Sequence, residues 1–566
     1  LAYYLVENFQ KGLDVRRSKE TAPPGSLRVL RNCVINSGGE VEKRKGFVAN
    51  PTLTAYGQDP TFKGKIVGPM QVPSFTNMAF FRHHVDALPG GDFTAGAGLS
   101  STSYAEYLTE GDGLQSNTFW VHKAYNASYR ITSPVLAHNS SVSEFGSADY
   151  PGFSASDFAG QIYAVDRSYT TANGWEHMHL QQYMLADTGE PFEFDVDSGG
   201  LADRSQQVTL QNKSYTIGDD ILYSSAVGDP LDFVSAGAGS LKISSQGNSI
   251  GRALAMGIYY GQLAIFGPRG AQFYEVDPDF ATNQYLRTVQ TSLFAPRSVT
   301  GYADGDLIYL SRTGVRSLQA RDSSNLAITN DVGSPIDDLI REEIAYDASY
   351  REFVIAADVG SGGVELPIPD FYSLAKGIVY PMTGEFWLFL KDKVYVLSRH
   401  PSAKVLAWST YDLPDPVAAN LSESAGPVKS GWCADACQIG DTITFRNFAD
   451  EMYTYGGTTG EEYDTSMAEI VTPFMDMERP GDNKYFTGID VVCEGKWQIE
   501  VCTEPCDDEA AAKWYKVAEV DGRTRGQYRV PFQAQGHQIA VRMTSTSPRR
   551  ARIAQIGVYF EMGSQK

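Results

Sequence analysis

Residues 305–314, GDLIYLSRTG, set a polar turn before an apolar, aromatic-bearing run, then a glycine and a returning strand. The same pattern stands at 219–228 (DDILYSSAVG) and 261–270 (GQLAIFGPRG), so that Gly228, Gly270 and Gly314 recur at steps of 42 and 44 residues. A further copy from Gly384, GEFWLFLKDKVYVL, keeps both strands but has Lys393 at the glycine's place. Glycine there predicts a turn residue with φ > 0 between antiparallel strands. A repeat of this length built from antiparallel strands predicts the blades of a β-propeller over 158–465.

Working outward, one helix is legible among the strands. Ser334 is an N-cap, Pro335 fills the first helical position, and Ile336, Leu339, Ile340 and Ile344 share a face. Asp337 and Asp338 suit the positive end of its dipole. Strand patterns also stand at 160–165, 175–185, 404–411 and 440–445. Residues 1–50 read as an arm with docking strands: NFQKGL at 8–13, a Pro23-Pro24-Gly25 break, an apolar stretch through Ile35, and the charged hairpin return EVEKRKGF at 40–47. Residues 51–157, rich in Gly, Ser, Thr and Ala, form an irregular insertion or the first blades. From about 466 to 566, short strands at 485–492, 497–502, 527–531, 538–543 and 553–560 predict a C-terminal β-sandwich. The fold class is therefore all-β: a propeller with irregular blades, a C-terminal sandwich and an N-terminal arm.

The 566 residues are 42% hydrophobic and 20% charged, with 32 Tyr and 28 Phe, a bias that suits strands. The net charge of −21 argues against gripping nucleic acid by phosphate neutralisation, yet allows DNA to pass a repelling wall. No apolar run approaches the ~20 residues of a membrane helix. The six cysteines are too few for a disulfide scaffold of this length, and the N-terminus does not read as a signal peptide, which predicts a chain made in a reducing cytoplasm.

Chemistry-bearing constellations are sparse. Cys433/Cys437 and Cys502/Cys506 offer two pairs of thiols, but neither has zinc-knuckle spacing, and free thiols are expected. His177 and His179 would share a strand face, His83 and His84 would not, and no further ligand can be placed beside either pair. Asp195 and Asp197 precede Gly199-Gly200 without the remaining acidic ligands of a calcium loop. Nucleophile-elbow, zincin and phosphate-loop motifs are missing, as are the repeated S-x-D-x-G-x-x-W turns of sialidase propellers. No catalytic, cofactor-binding or metal residue is assigned, and a non-enzyme is expected.

Four stretches, in order, resemble the tail nozzle proteins of short-tailed bacteriophages, also called tail tubular protein B or packaged-DNA stabilisation proteins. They are residues 8–47 (NFQKGL through KRKGF), 219–233 (DDILYSSAVGDPLDF), 263–340 (LAIFGPRGAQFYEV through NDVGSPIDDLI) and 385–414 (EFWLFLKDKVYVL through STYDLP). The resemblance implies a structural virion protein in the phage tail, assembled in the host cytoplasm. It implies a homohexameric ring below portal and adaptor, contacting tail fibres or a tip plug. Double-stranded DNA would pass through without specific binding, and this chain would enter no membrane. The alternative from another class is a carbohydrate-binding or carbohydrate-degrading propeller.

Overall fold

The computed structural model describes residues 2–49, the strands between 78 and 196, and most of 206–323, 331–344, 375–415, 431–505 and 512–563, single positions and short runs such as 229–235 and 278–282 excepted. Among the described residues, seven sets of three or four antiparallel strands follow one another along the chain, six of them separate sheets and the sixth in order the end of a larger sheet. The first three span Met78–His84 to Arg130–Asn139, Ser154–Phe158 to Phe194–Val196, and Gln206–Leu210 to Gly239–Lys242. The fourth, fifth and sixth span Ala255–Tyr259 to Gln284–Val289, Thr300–Tyr302 to Gly314–Ser317, and Lys376–Tyr380 to Val405–Asp412. The seventh begins with Cys433–Ile439. From the second sheet onward, the first strand of each lies against the first strand of the next, as the inner strands of propeller blades do. The fold is an all-β propeller.

The last blade is finished from the other end of the chain. Cys433–Ile439, Thr442–Asn447 and Met452–Tyr455 make three strands, and Phe47–Ala49 pairs antiparallel with the third, Phe47 opposite Tyr455. The hairpin return expected over 40–47 forms, with Val41–Lys43 antiparallel to Cys33–Ile35, and its end, Phe47, opens the outermost strand of blade seven. This closure gives the final sheet a fourth strand in place of a bare edge.

The repeated hairpins are confirmed in blades four to six and shifted in blade three. Gln262–Gly267, Asp306–Ser311 and Glu385–Leu390 are each the second strand of their blade. Residues 221–224, by contrast, form the third strand of blade three; its second is Lys213–Gly218, entered through Gln211 and Asn212 at φ 50° and 64°. Second and third strands both run apolar between polar turns, so spacing alone cannot tell them apart. The expected positive φ is found at Gly228 (79°) and Gly314 (126°), and the entry glycines Gly261 (78°), Gly305 (104°) and Gly384 (69°) have it as well. Gly270 does not have it; its missing Cβ instead clears the Val289 carbonyl, 3.0 Å away.

The predicted helix occupies 337–344; Ser334 and Pro335, expected as its cap and first residue, lie in the turn just before it, and Ile336 and Ile340 are fully buried. Gly314 serves it directly. At φ 126° it turns the hairpin of blade five, and a Cβ there would collide with the Asp337 carboxylate, which clasps Arg316 through both oxygens (2.8 and 2.9 Å).

The strands from Ala468–Val471 to Arg552–Met562 form one long sheet that borrows its outer strands from the N-terminus. Lys484–Cys502 joins two expected strands across Gly495, whose φ of 83° allows the bend. Tyr515–Gly536 lies on one edge of it, and Ala540–Ser545 and Arg552–Met562 lie end to end on the other. Ala2–Val6 and Val41–Lys43 add to Arg552–Met562, while Val29–Arg31 adds to Ala468–Val471. A bridge from Arg31 to Thr410 then joins this sheet to blade six. One apolar core runs through all of it, from Phe9 and Leu30 through Phe386 and Trp408 to Trp497 and Ile556. Where the sequence predicted a separate C-terminal β-sandwich, the described strands pair into a single sheet that is built onto the propeller and shares its core.

Candidate functional site

Among the described residues no group of three or more His, Cys, Asp and Glu could hold a metal. Cys433 and Cys502 are buried in separate apolar clusters and share no site; the side chain of Cys437 and all of Cys506 lie outside the described residues. Burial pushes the thiols of Cys33 and Cys493 up to about 12, which suits packing and not nucleophilic chemistry. The side chains of His83, His84, His177 and His179, and the loop from Asp197, also lie outside the described residues. Glu385 is buried and its carboxyl is pushed up by desolvation, but Trp387 Nε1 (3.3 Å) and Ser398 Oγ (3.2 Å) donate to it within blade six, as for a satisfied core acid.

What the structure does assemble is a charged joint where arm, blades six and seven, and C-terminal sheet meet. The stretch Glu42-Lys43-Arg44-Lys45 belongs to the charged hairpin return, yet Lys43 and Arg44 are each only 1% exposed. Arg44 Nε donates to Asn32 Oδ1 (2.8 Å), Nη1 to Asp464 Oδ2 (2.9 Å) and the Lys45 carbonyl (2.7 Å), and Nη2 to the Asp412 carbonyl (3.1 Å). Its guanidinium lies 4.6 Å from the Phe47 ring centroid. Burial alone would raise the Asp464 carboxyl, but Arg44, the Ser466 hydroxyl and the Phe47 N–H outweigh it and hold it below the usual range.

Asn32 is the pivot. It sits in the left-handed region at φ 52°, between two strands that join different parts of the sheet. Its backbone N–H donates to the Thr410 carbonyl (2.7 Å), and its Nδ2 to Asp412 Oδ2 (2.7 Å) and the Met467 carbonyl (2.8 Å). Asp412 receives Arg31 Nε as well. Lys43 Nζ donates to the carbonyls of Asp464 (2.9 Å) and Ser547 (2.8 Å), and burial pulls its pKa down to about 8. On the rim, Glu42 pairs with Arg550 and Arg552, and Lys45 with Glu461.

The rest of the arm is tied to blade six and the helix. Gly12, at φ 56°, bridges to Trp408 so closely that a Cβ would come within 2.6 Å of the Ala407 Cβ. Trp408 Nε1 donates to the Val332 carbonyl (2.6 Å), and the Val15 N–H to the Pro335 carbonyl (3.0 Å). Every polar group named at this joint has a partner, so the arrangement is suited to holding parts in register. The sequence did not reveal it, because Asp412 and Asp464 lie hundreds of positions from Arg44; the only local signal is four charges following an apolar strand.

No protein-family model matches the chain, and no curated protein matches it. Among solved structures the chain is similar to Chaetomium thermophilum Sqt1 bound to the N-terminus of ribosomal protein L10, at 10% identity over 69% of this chain and 97% of that one, TM-score 0.35. It is similar to the Neurospora crassa Pan2 WD40 domain at 9% identity over 75% and 97%, TM-score 0.34. BamB from Moraxella catarrhalis gives 10% identity over 62% and 81%, TM-score 0.28. Scores this low carry no argument about function, and the propeller assignment rests on the blade order and inner-strand contacts above.

Proposed function

We propose that this chain is a structural, ring-forming subunit of a short-tailed phage tail nozzle, a conduit that retains and then releases DNA. The observation that carries the reading is the ordered set of stretches at 8–47, 219–233, 263–340 and 385–414. Three of them meet in space: Gly12 and Asn32 of the first, Val332 and Pro335 of the third, and Trp408 and Asp412 of the fourth are in direct contact. The resemblance therefore falls on a packed joint, where a load-bearing wall needs rigidity. The net charge of −21 fits a conduit that DNA slides past.

The test is native mass measurement and electron microscopy of the purified protein, alone and with a portal–adaptor complex. Closed rings that dock onto the adaptor are expected. A species that stays monomeric and ignores the adaptor would sink the proposal. Turnover of a host polysaccharide, abolished by changing one carboxylate, would favour the carbohydrate-acting alternative.

A further inference from the structure

The C-terminal sheet has, among the described residues, two edges with no further strand on them. Among the described residues, Ala2–Val6 pairs only with Arg552–Met562, and Tyr515–Gly536 pairs only with Lys484–Cys502. The second of these is a 22-residue edge strand, far longer than the short or covered edges by which soluble proteins avoid sheet-to-sheet pairing. We propose that Ala2–Val6 of one copy adds antiparallel to the free edge of Tyr515–Gly536 in a second copy, closing a head-to-tail ring through one continuous sheet.

Three features fit these edges to each other. The first is polarity: the order from arm to edge is four strands, each antiparallel to its neighbour. An even number of alternating strands makes the next copy's first strand antiparallel to the last one, as the new ladder requires. The second is the pleat. Tyr4, Val558, Ile489 and Val530 form one row, and Val6, Ile556, Val491 and Tyr528 another, all apolar and facing the core. The alternate row of Leu5, Gly557, Asp490 and Arg529 faces outward. Adding the strand in this sense sets inner face on inner face and covers Tyr528, which is only partly buried at the edge.

The third is side-chain complementarity. On the outer face Tyr3 leans on Tyr559 (centroids 6.0 Å apart), and Arg529 stacks on the other side of that tyrosine at 4.5 Å. Tyr3 and Arg529 are both exposed, so the next copy's Tyr3 would meet Arg529 and continue the aromatic–cationic ladder. Contact between two different surfaces of one chain generates a ring when the rotation closes.

Pro531 supplies the test. A proline inside a paired strand points its nitrogen to the unpaired side, so Arg529 and Gln527, two and four residues away on an unshifted register, also direct their N–H groups to the free edge. Gln527→Pro should therefore remove an intermolecular donor and leave the backbone ladder to Lys484–Cys502; Gln527→Ala, which also loses the Gln527 Nε2 bond to Asp490 Oδ2 (3.0 Å) but keeps the N–H, is its control. The expected result is at least a tenfold lower assembled fraction by mass photometry than Gln527→Ala gives, with matching circular dichroism and melting. Mixing Tyr3→Cys protein with Arg529→Cys protein should give a disulfide-linked pair that neither variant gives alone beyond wild type. Self-linking of Arg529→Cys, undiminished assembly of Gln527→Pro, or a chain monomeric at every concentration would each overturn the proposal. It does not rest on the nozzle reading: rings that dock on an adaptor but never cross-link would sink this joint alone.

Discussion

Two joints hold blade six, and they are built from opposite chemistry. Toward blade seven the contact is aromatic: Trp387 lies at its centre, with Phe47, Tyr411 and Tyr455 set edge-on to it at centroid distances of 4.7 to 6.2 Å. Toward the arm and the C-terminal sheet it is ionic, centred on Arg44, Asp412, Asp464 and Asn32. The aromatic joint gains from area and tolerates small shifts. The ionic joint is geometrically exact or costly, since one missing partner strands a buried charge. The second kind of contact fixes the C-terminal sheet to the propeller in one pose.

The largest expected effect comes from breaking the ionic joint one-sidedly. Arg44→Ala strands Asp464 and should destabilise by about 3–5 kcal/mol in urea titrations. The double change Arg44→Met with Asp464→Leu should cost clearly less; equal losses would mean that the charges do not form a pair. Gly12→Ala comes next, at about 1–3 kcal/mol, because its Cβ has no room beside Ala407 and its φ is left-handed. Phe47→Leu in the aromatic joint should cost about 1 kcal/mol through lost edge-to-face contacts, measured by thermal melting.

The subtlest prediction separates the joints by pH. Burial lowers the folded pKa of Lys43 to about 8 from an ordinary 10.5, so the unfolded chain binds the extra proton between those values. Stability from this site should rise as pH climbs from 8 to 10.5 and be lost as pH falls through 8. Tyr380 has the opposite sign: burial raises it to about 12, so its contribution is full below pH 10 and is lost above it. Tyr411 and Tyr455, also raised by burial, add to that loss. Urea midpoints against pH should therefore show a gain from pH 8 that Lys43→Met removes, followed by a fall that it leaves in place.

The blades were legible because a half-buried strand must alternate with period 2 and its turns must be polar, and both are local demands. The helix at 337–344 was legible for the same reason, through Ser334, Pro335 and the spacing of Ile336 and Ile340. The alignment of 221–224 with the second strands failed because second and third strands obey identical local rules. Only hydrogen-bond partners distinguish them.

The sequence by itself determined an all-β chain with propeller hairpins, a separate strand texture after 466, and an arm that carries its own turns. Tertiary structure alone decided that the arm closes blade seven through Phe47–Ala49 and that Lys43 and Arg44 are interior. Apolar periodicity is written in neighbouring residues. A buried charge depends on a partner such as Asp464, brought from more than four hundred residues away, and no window along the chain contains both.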